Sequence, residues 1–373
     1  MVRLKRLSAA LQSSSPAADA MLITHPCDVR YLTGFTGSNA ALILPQTLSL
    51  RKASRLQRAS KPVLFTDGRY IEQAGQETKH AGVVIARGPI LREACAWMLA
   101  EGVRHCAFDA EHTSVAALET LRQWIPGKLR RGFFQSVPAL TAGLRERKDA
   151  DEIFRLRAAA RLGCSLFEDL LPHIESGKRE VEIAAQLEFA ARTAGAEGMS
   201  FDTIVASGAR SALPHGQATR QLLPRRGFVV LDFGVMLTGY CSDMTRTVHL
   251  GRATIAERNA YEAVLEAQLA AIATVKPGVS CGEVDEAARS VLRRANLADF
   301  FTHSTGHGVG LEIHEGPRIA ARQDQRLEPG MVITIEPGVY LPGRFGIRIE
   351  DMVLVTRSGP EILTPATKAW IEL

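Results

Sequence analysis

Three strand-like apolar runs in the second half of the chain each carry a carboxylate where the pattern asks for a hydrophobe. They are Phe228-Val-Val-Leu-Asp232, Val332-Ile-Thr-Ile-Glu336 and Ile347-Arg-Ile-Glu350. A buried carboxylate is costly unless it is paired or bound to a cation. The chain must therefore fold so that these strands share one place, with positive charge for them to face. Asp232 and Asp243 flank Leu237-Thr-Gly-Tyr240, a turn-like segment predicted to close a hairpin and add a fourth carboxylate. Arg348 and Glu350, two apart on a predicted strand, share a face. His303 and His307 are spaced like a helical pair, but Gly306, Gly308 and Gly310 around them predict extended backbone that something approaches closely.

Four carboxylates around one point repel, each close pair by about 4 kcal/mol at an effective dielectric near 20. Two divalent cations would cancel those charges. Oxygen-rich ligation with a single imidazole suits manganese or cobalt better than a structural zinc site of sulfur and nitrogen. Any one of these acids, taken alone, could be salt-bridged or exposed. That reading does not extend to Asp232, Asp243, His307, Glu336 and Glu350 together.

The 373 residues, 46% hydrophobic and 23% charged, read as a soluble chain long enough for two domains. Short apolar runs at 20–24, 40–44, 62–65, 82–86 and 106–108 alternate with helix-like stretches such as 90–100, the rhythm of a small α/β domain. Arg145-Glu-Arg-Lys-Asp149, followed by Asp151-Glu152, reads as a linker into a helix, so the domains are placed at 1–143 and 144–373. Beyond it, apolar residues recur at helical spacing from Leu156 to Ile174, Ala184 to Ala194 and Tyr261 to Ile272, and Ser280 with Glu283 has the spacing of a capping box. Strand-like runs at 228–233, 331–335 and 346–355 complete an α+β half built on a largely antiparallel sheet.

The net charge of +5 traces to the segment 46–61, where Arg51, Lys52, Arg55, Arg58 and Lys61 occur without an acid. No aromatic residues interleave them, so a solvated loop is expected, not a nucleic-acid arm. The six cysteines form no Cys-x-x-Cys pair and are expected to be reduced, structural thiols. No apolar run approaches the roughly 20 residues that span a bilayer, and residues 1–15 lack a secretory apolar region. A cytoplasmic protein without membrane partners is expected.

The polar segments resemble the creatinase, prolidase and aminopeptidase P family of pita-bread metallopeptidases. The resemblance is carried by Leu213-Pro-His-Gly216, Leu231-Asp-Phe-Gly234, Ser242-Asp-Met-Thr-Arg-Thr247, the run from His303 to Pro317, Glu336-Pro-Gly-Val-Tyr340 and Gly346-Ile-Arg-Ile-Glu-Asp351. Tyr31-Leu-Thr-Gly-Phe-Thr-Gly-Ser38 and Thr66-Asp-Gly-Arg-Tyr70 are similar to segments of aminopeptidase P members. The resemblance implies an α+β pita-bread catalytic domain preceded by a smaller α/β creatinase-type domain. It implies two divalent ions, Mn2+ foremost with Co2+ or Zn2+ as substitutes: Asp232 on one, Asp243 and Glu350 bridging both, His307 and Glu336 on the other. It further implies Glu336 as general base, His215, His303 and His314 lining the substrate site, and Arg348 holding Asp232. Tyr340 either binds a ligand or packs in the core. Phe233, Tyr31 and Phe35 are expected in the core, and Ser207 to Ser211 in a turn, not as a nucleophile.

The activity so implied is release of the residue before proline from peptides with proline second, an Xaa-Pro aminopeptidase, in a homodimer or homotetramer. Cleavage of dipeptides only, as in prolidase, is the alternative. A catalytically inactive interaction module, a creatinase-like amidinohydrolase and a methionine aminopeptidase are weaker readings, because all five ligands are retained together with this kind of N-terminal half.

Overall fold

The charged segment at 145–152 marks a division: the computed structural model, which describes residues 1–46 and 61–373, separates into Met1–Arg145 and Glu146–Leu373. These charges are not simply solvated. The Arg145 guanidinium is buried and donates to Asp28 Oδ1 at 2.9 Å. Lys148 and Glu315 pair at 3.1 Å with neither side chain more than 5% exposed. Asp149 caps the helix Ala150–Leu170, and the Asp149 amide in turn donates to Glu152 Oε2 at 3.0 Å.

The first unit holds one mixed sheet in the order β4-β3-β2-β1-β5-β6. Its strands are β1 (Ala20–Ile23), β2 (Ala40–Pro45), β3 (Val63–Asp67), β4 (Gly82–Ala86), β5 (Cys106–Asp109) and β6 (Phe134–Val137). Five follow the apolar runs of the sequence, and β6 and the helix Val2–Ser14 are additions. Phe65, Ala94, Met98 and Phe133 fill the core beside the sheet. The basic segment lies almost wholly at 47–60, outside the described residues.

The second unit is built from antiparallel strands with helices packed on them, as its sequence pattern predicts. Its strands are β7 (Gly198–Met199), β8 (Ile204–Ser207), β9 (Gly227–Phe233), β10 (Val235–Leu237), β11 (Tyr240–Cys241), β12 (Met244–Leu250), β13 (Gly306–Gly308), β14 (Glu315–Ile319), β15 (Val332–Ile335), β16 (Gly338–Leu341), β17 (Phe345–Arg348), β18 (Asp351–Thr356) and β19 (Gly359–Ile362). Ala150–Leu170 and Glu180–Thr193 bury Phe167, Ile183 and Leu187 with Val229, Leu231 and Phe233 of β9. Ile255–Thr274 and Cys281–Arg294 bury Val264, Val284 and Leu292 with Ile333, Ile335 and Val353. Each pair has an apolar stripe to hide, and a sheet with one apolar face hides it.

The Leu237–Tyr240 hairpin forms, with Thr238 and Gly239 both at positive φ, 50° and 78°, as a tight two-residue turn requires. The run 346–355 is not one strand: Ile349 and Glu350 interrupt it between β17 and β18. Below the break, Asp351 is buried and its carboxylate meets Arg246, Lys368, Gln268 and Thr364. Those partners hold its carboxyl below the usual range although burial alone would raise it.

Candidate metal centre

Each acidic ligand candidate sits where regular pairing stops or where a strand faces inward. Asp232 lies near the end of β9 opposite Thr245 of β12. Asp243 precedes β12, Glu336 follows β15, and Glu350 stands in the gap after β17. His307 is the middle residue of β13, and its glycine neighbours have a physical reason. A Cβ at Gly306 would lie 1.9 Å from the Thr334 carbonyl oxygen, and one at Gly308 would lie 2.0 Å from that of Gly316. The close approach inferred from those glycines is by backbone.

Ligand atoms of Asp243, His307 and Glu350 all lie within 4.8 Å of one another. His307 Nε2 is 3.5 Å from Asp243 Oδ2 and 3.7 Å from Glu336 Oε1. Its Nδ1 faces the Gly308 carbonyl at 2.9 Å, which leaves the Nε2 lone pair turned toward the carboxylates. Arg348 Nη2 donates to Asp232 Oδ2 at 2.6 Å, while Asp232 Oδ1 is buried and accepts no hydrogen bond. Thr245 accepts from Arg348 Nε and donates to Glu350 Oε2 at 2.7 Å.

Burial, then the charge on Asp232, pushes the Glu350 carboxyl up to about 8. Burial and the neighbouring carboxylates likewise hold Asp243 and Glu336 well above the ordinary range. Burial lowers His307 to about 4, so its imidazole is neutral and able to ligate. An orphaned carboxylate oxygen, a neutral imidazole aimed inward and four crowded acids are what a site for divalent cations needs before the cations arrive.

His215, His303, His314, Tyr340 and Arg348 line the same cleft, of about 670 Å³, with all five ligand candidates. Tyr340 does more than pack: Arg348 Nη1 donates to its hydroxyl at 2.7 Å, and that hydroxyl lies 2.8 Å from His303 Nε2. His303 Nδ1 faces the Ser304 carbonyl at 2.8 Å, so both ring nitrogens of His303 are engaged. Burial lowers His303 to about 4 and, with His215 adding to it, lowers His314. Phe233, Tyr31 and Phe35 are buried in the core, as expected. Ser207 to Ser211 lead into the short 3₁₀ turn Gly208–Ala212.

Sequence reasoning missed Thr245, Asp202 and Arg318. Thr245 had a signal, since it follows Asp243 at the two-residue period of a strand face. Arg318, on β14 opposite His307, had none: it is an exposed arginine in the cleft wall that pairs with no carboxylate among the described residues.

The cleft gathers strand-end carboxylates and one inward imidazole, a donor set suited to divalent metal ions. Residues 155–357 match the model of metallopeptidase family M24, and residues 3–146 match that of the creatinase/prolidase N-terminal domain. The chain belongs to metallopeptidase family M24. An uncharacterized peptidase of Bacillus subtilis is 36% identical over 361 residues, covering 95% of this chain and 96% of its own. The structure of an Xaa-Pro dipeptidase from Bacillus anthracis superposes with a TM-score of 0.92 at 36% identity, covering 100% of this chain and 99% of that one. That of an X-Pro aminopeptidase from Thermotoga maritima gives 0.86 at 34% identity, covering 98% and 100%. No helix among the described residues is long and apolar enough to cross a membrane.

Proposed function

We propose that this chain hydrolyses peptide bonds that precede proline, using two divalent ions held by Asp232, Asp243, His307, Glu336 and Glu350. The observation that carries the reading is the convergence of four carboxylates and one neutral imidazole in a single cleft. The Xaa-Pro preference is supported by the names of the Bacillus anthracis and Thermotoga maritima relatives. Asp232 would serve one ion, Asp243 and Glu350 both, and His307 with Glu336 the other.

When bound, the ions would acidify water and withdraw electron density from the scissile carbonyl. Glu336 accepts the proton released by the attacking water and delivers it to the proline nitrogen as the C–N bond breaks. His215 and His314, both exposed in the cleft, offer donors to the carbonyl oxygen as it gains charge. Arg348 keeps Asp232 oriented and, through Tyr340, fixes His303. Purified protein reloaded with excess manganese is expected to hold about two ions per chain. Elemental analysis that finds one or none overturns the two-ion centre.

Two forms of this reaction differ in whether the chain of the substrate continues beyond proline. Segments 34–38 and 67–70 favour longer peptides. Arg318 favours dipeptides, because an unpaired guanidinium in the cleft wall is suited to a free carboxylate. On that reading Ala-Pro is cleaved in preference to Ala-Pro-Ala. Arg318→Gln then raises KM for Ala-Pro by about tenfold to a hundredfold, the value of one charged hydrogen bond. A preference for Ala-Pro-Ala, with KM for Ala-Pro unmoved by the substitution, restores the aminopeptidase form.

A further inference from the structure

We infer that Glu180, far along the chain from every ligand candidate, is the positioning residue for His215. It is the first residue of the helix Glu180–Thr193 and is fully buried. Its Oε1 accepts from the Ser207 amide at 2.8 Å and the Ser207 hydroxyl at 2.9 Å. Its Oε2 accepts from the Thr219 hydroxyl at 2.7 Å, the Thr219 amide at 3.1 Å and Arg210 Nε at 3.1 Å. Ser207 and Thr219 are the two ends of the loop that carries His215 into the cleft. One carboxylate therefore closes the base of that loop.

The loop is braced from inside as well. Arg210, held by Glu180, donates through Nη2 to the Gln217 carbonyl at 2.7 Å, two residues past the histidine. Arg348 Nη1 donates to the Pro214 carbonyl at 3.1 Å, one residue before it. His215 is thus fixed through backbone on both sides, although its ring is exposed. Every group meeting Glu180 is a donor, so an amide in its place would turn an NH2 toward N–H groups and release one end of the loop.

The consequence for the reaction rests on the proposed role of His215, whereas the clamp itself does not. Displacement of an aligned group by about 1 Å costs roughly 10²-fold in rate. Glu180→Gln is expected to lower kcat on Ala-Pro by about that factor with little change in KM. In a double-mutant cycle it should add nothing once His215→Ala is present, because a positioning residue has nothing left to position.

The test compares manganese-loaded wild type, Glu180→Gln, His215→Ala and the double variant for kcat and KM on Ala-Pro. Amide hydrogen exchange of segment 208–219 is measured on the same proteins. Faster exchange confined to 208–219, together with a non-additive loss of kcat, supports the inference. Unchanged exchange in that segment, or equal losses with and without His215, overturns it. If the wild type cleaves no Xaa-Pro substrate, the functional reading fails, and the exchange result alone decides the clamp. Should Glu180→Gln not fold, Thr219→Val removes one hydroxyl from the same clamp and is read by the same criteria.

Discussion

Glu336→Ala is expected to lower kcat by at least about 10⁴-fold, the scale on which removal of an acid-base group from a cooperating catalytic set is felt. Glu336 follows β15, its amide donates to the Thr305 carbonyl at 2.7 Å, and its carboxylate lies 3.7 Å from His307 Nε2. The backbone that presents it is fixed independently of its side chain, so the loss should not come from unfolding. The ion-free variant should in fact melt no lower than wild type, because it drops one of four crowded, mutually repelling carboxylates. A steady-state assay under manganese and a melting curve under chelator measure the two effects. Turnover within tenfold of wild type would remove Glu336 from the chemistry, and a large fall in the chelated melting temperature would make it a structural residue.

Arg348→Met is expected to damage stability and activity together. The guanidinium is buried and spends its donors on Asp232, Tyr340, Thr245 and the Pro214 carbonyl. Removing one partner of a buried ion pair costs about 3–5 kcal/mol, because the other charge stays behind unpaired. The damage should be visible in the urea midpoint of the chelated protein. Arg348→Lys keeps the charge but cannot reach four acceptors at once, so it should fall between wild type and Met. If the Met variant unfolds at the wild-type midpoint, Asp232 does not depend on this pair.

The clarity of the sequence differed by residue for physical reasons. Asp232, Glu336 and Glu350 were legible because a carboxylate in an apolar run breaks a pattern that burial otherwise enforces. The hairpin between Asp232 and Asp243 was legible because Thr238-Gly239 is a turn signal. The interruption at Ile349 and Glu350 was hidden, since 346–355 keeps its apolar character straight through the break. Arg145 and Lys148 read as linker charges because a sequence does not reveal that Asp28 and Glu315 await them. Glu180 was invisible for the same reason: as a helix-start glutamate it has an ordinary explanation, and only the fold brings Ser207 and Thr219 to it. Tyr340 was undecidable until Arg348 and His303 were seen to meet its hydroxyl.

The gap that holds Glu350 has a consequence for the order in which this protein becomes competent. Asp232, Asp243, His307 and Glu336 all leave the ribosome before Glu350 does, and Thr245, which holds the Glu350 carboxylate, waits for a partner more than a hundred positions later. Contacts so distant along the chain form late, after the entropy of closing the intervening loops has been met. A nascent chain thus displays an incomplete set of acids, and on the proposed reading the full affinity for divalent ions would belong only to the finished fold. On the proposed two-ion reading, capture of ions would be deferred until the cleft is complete.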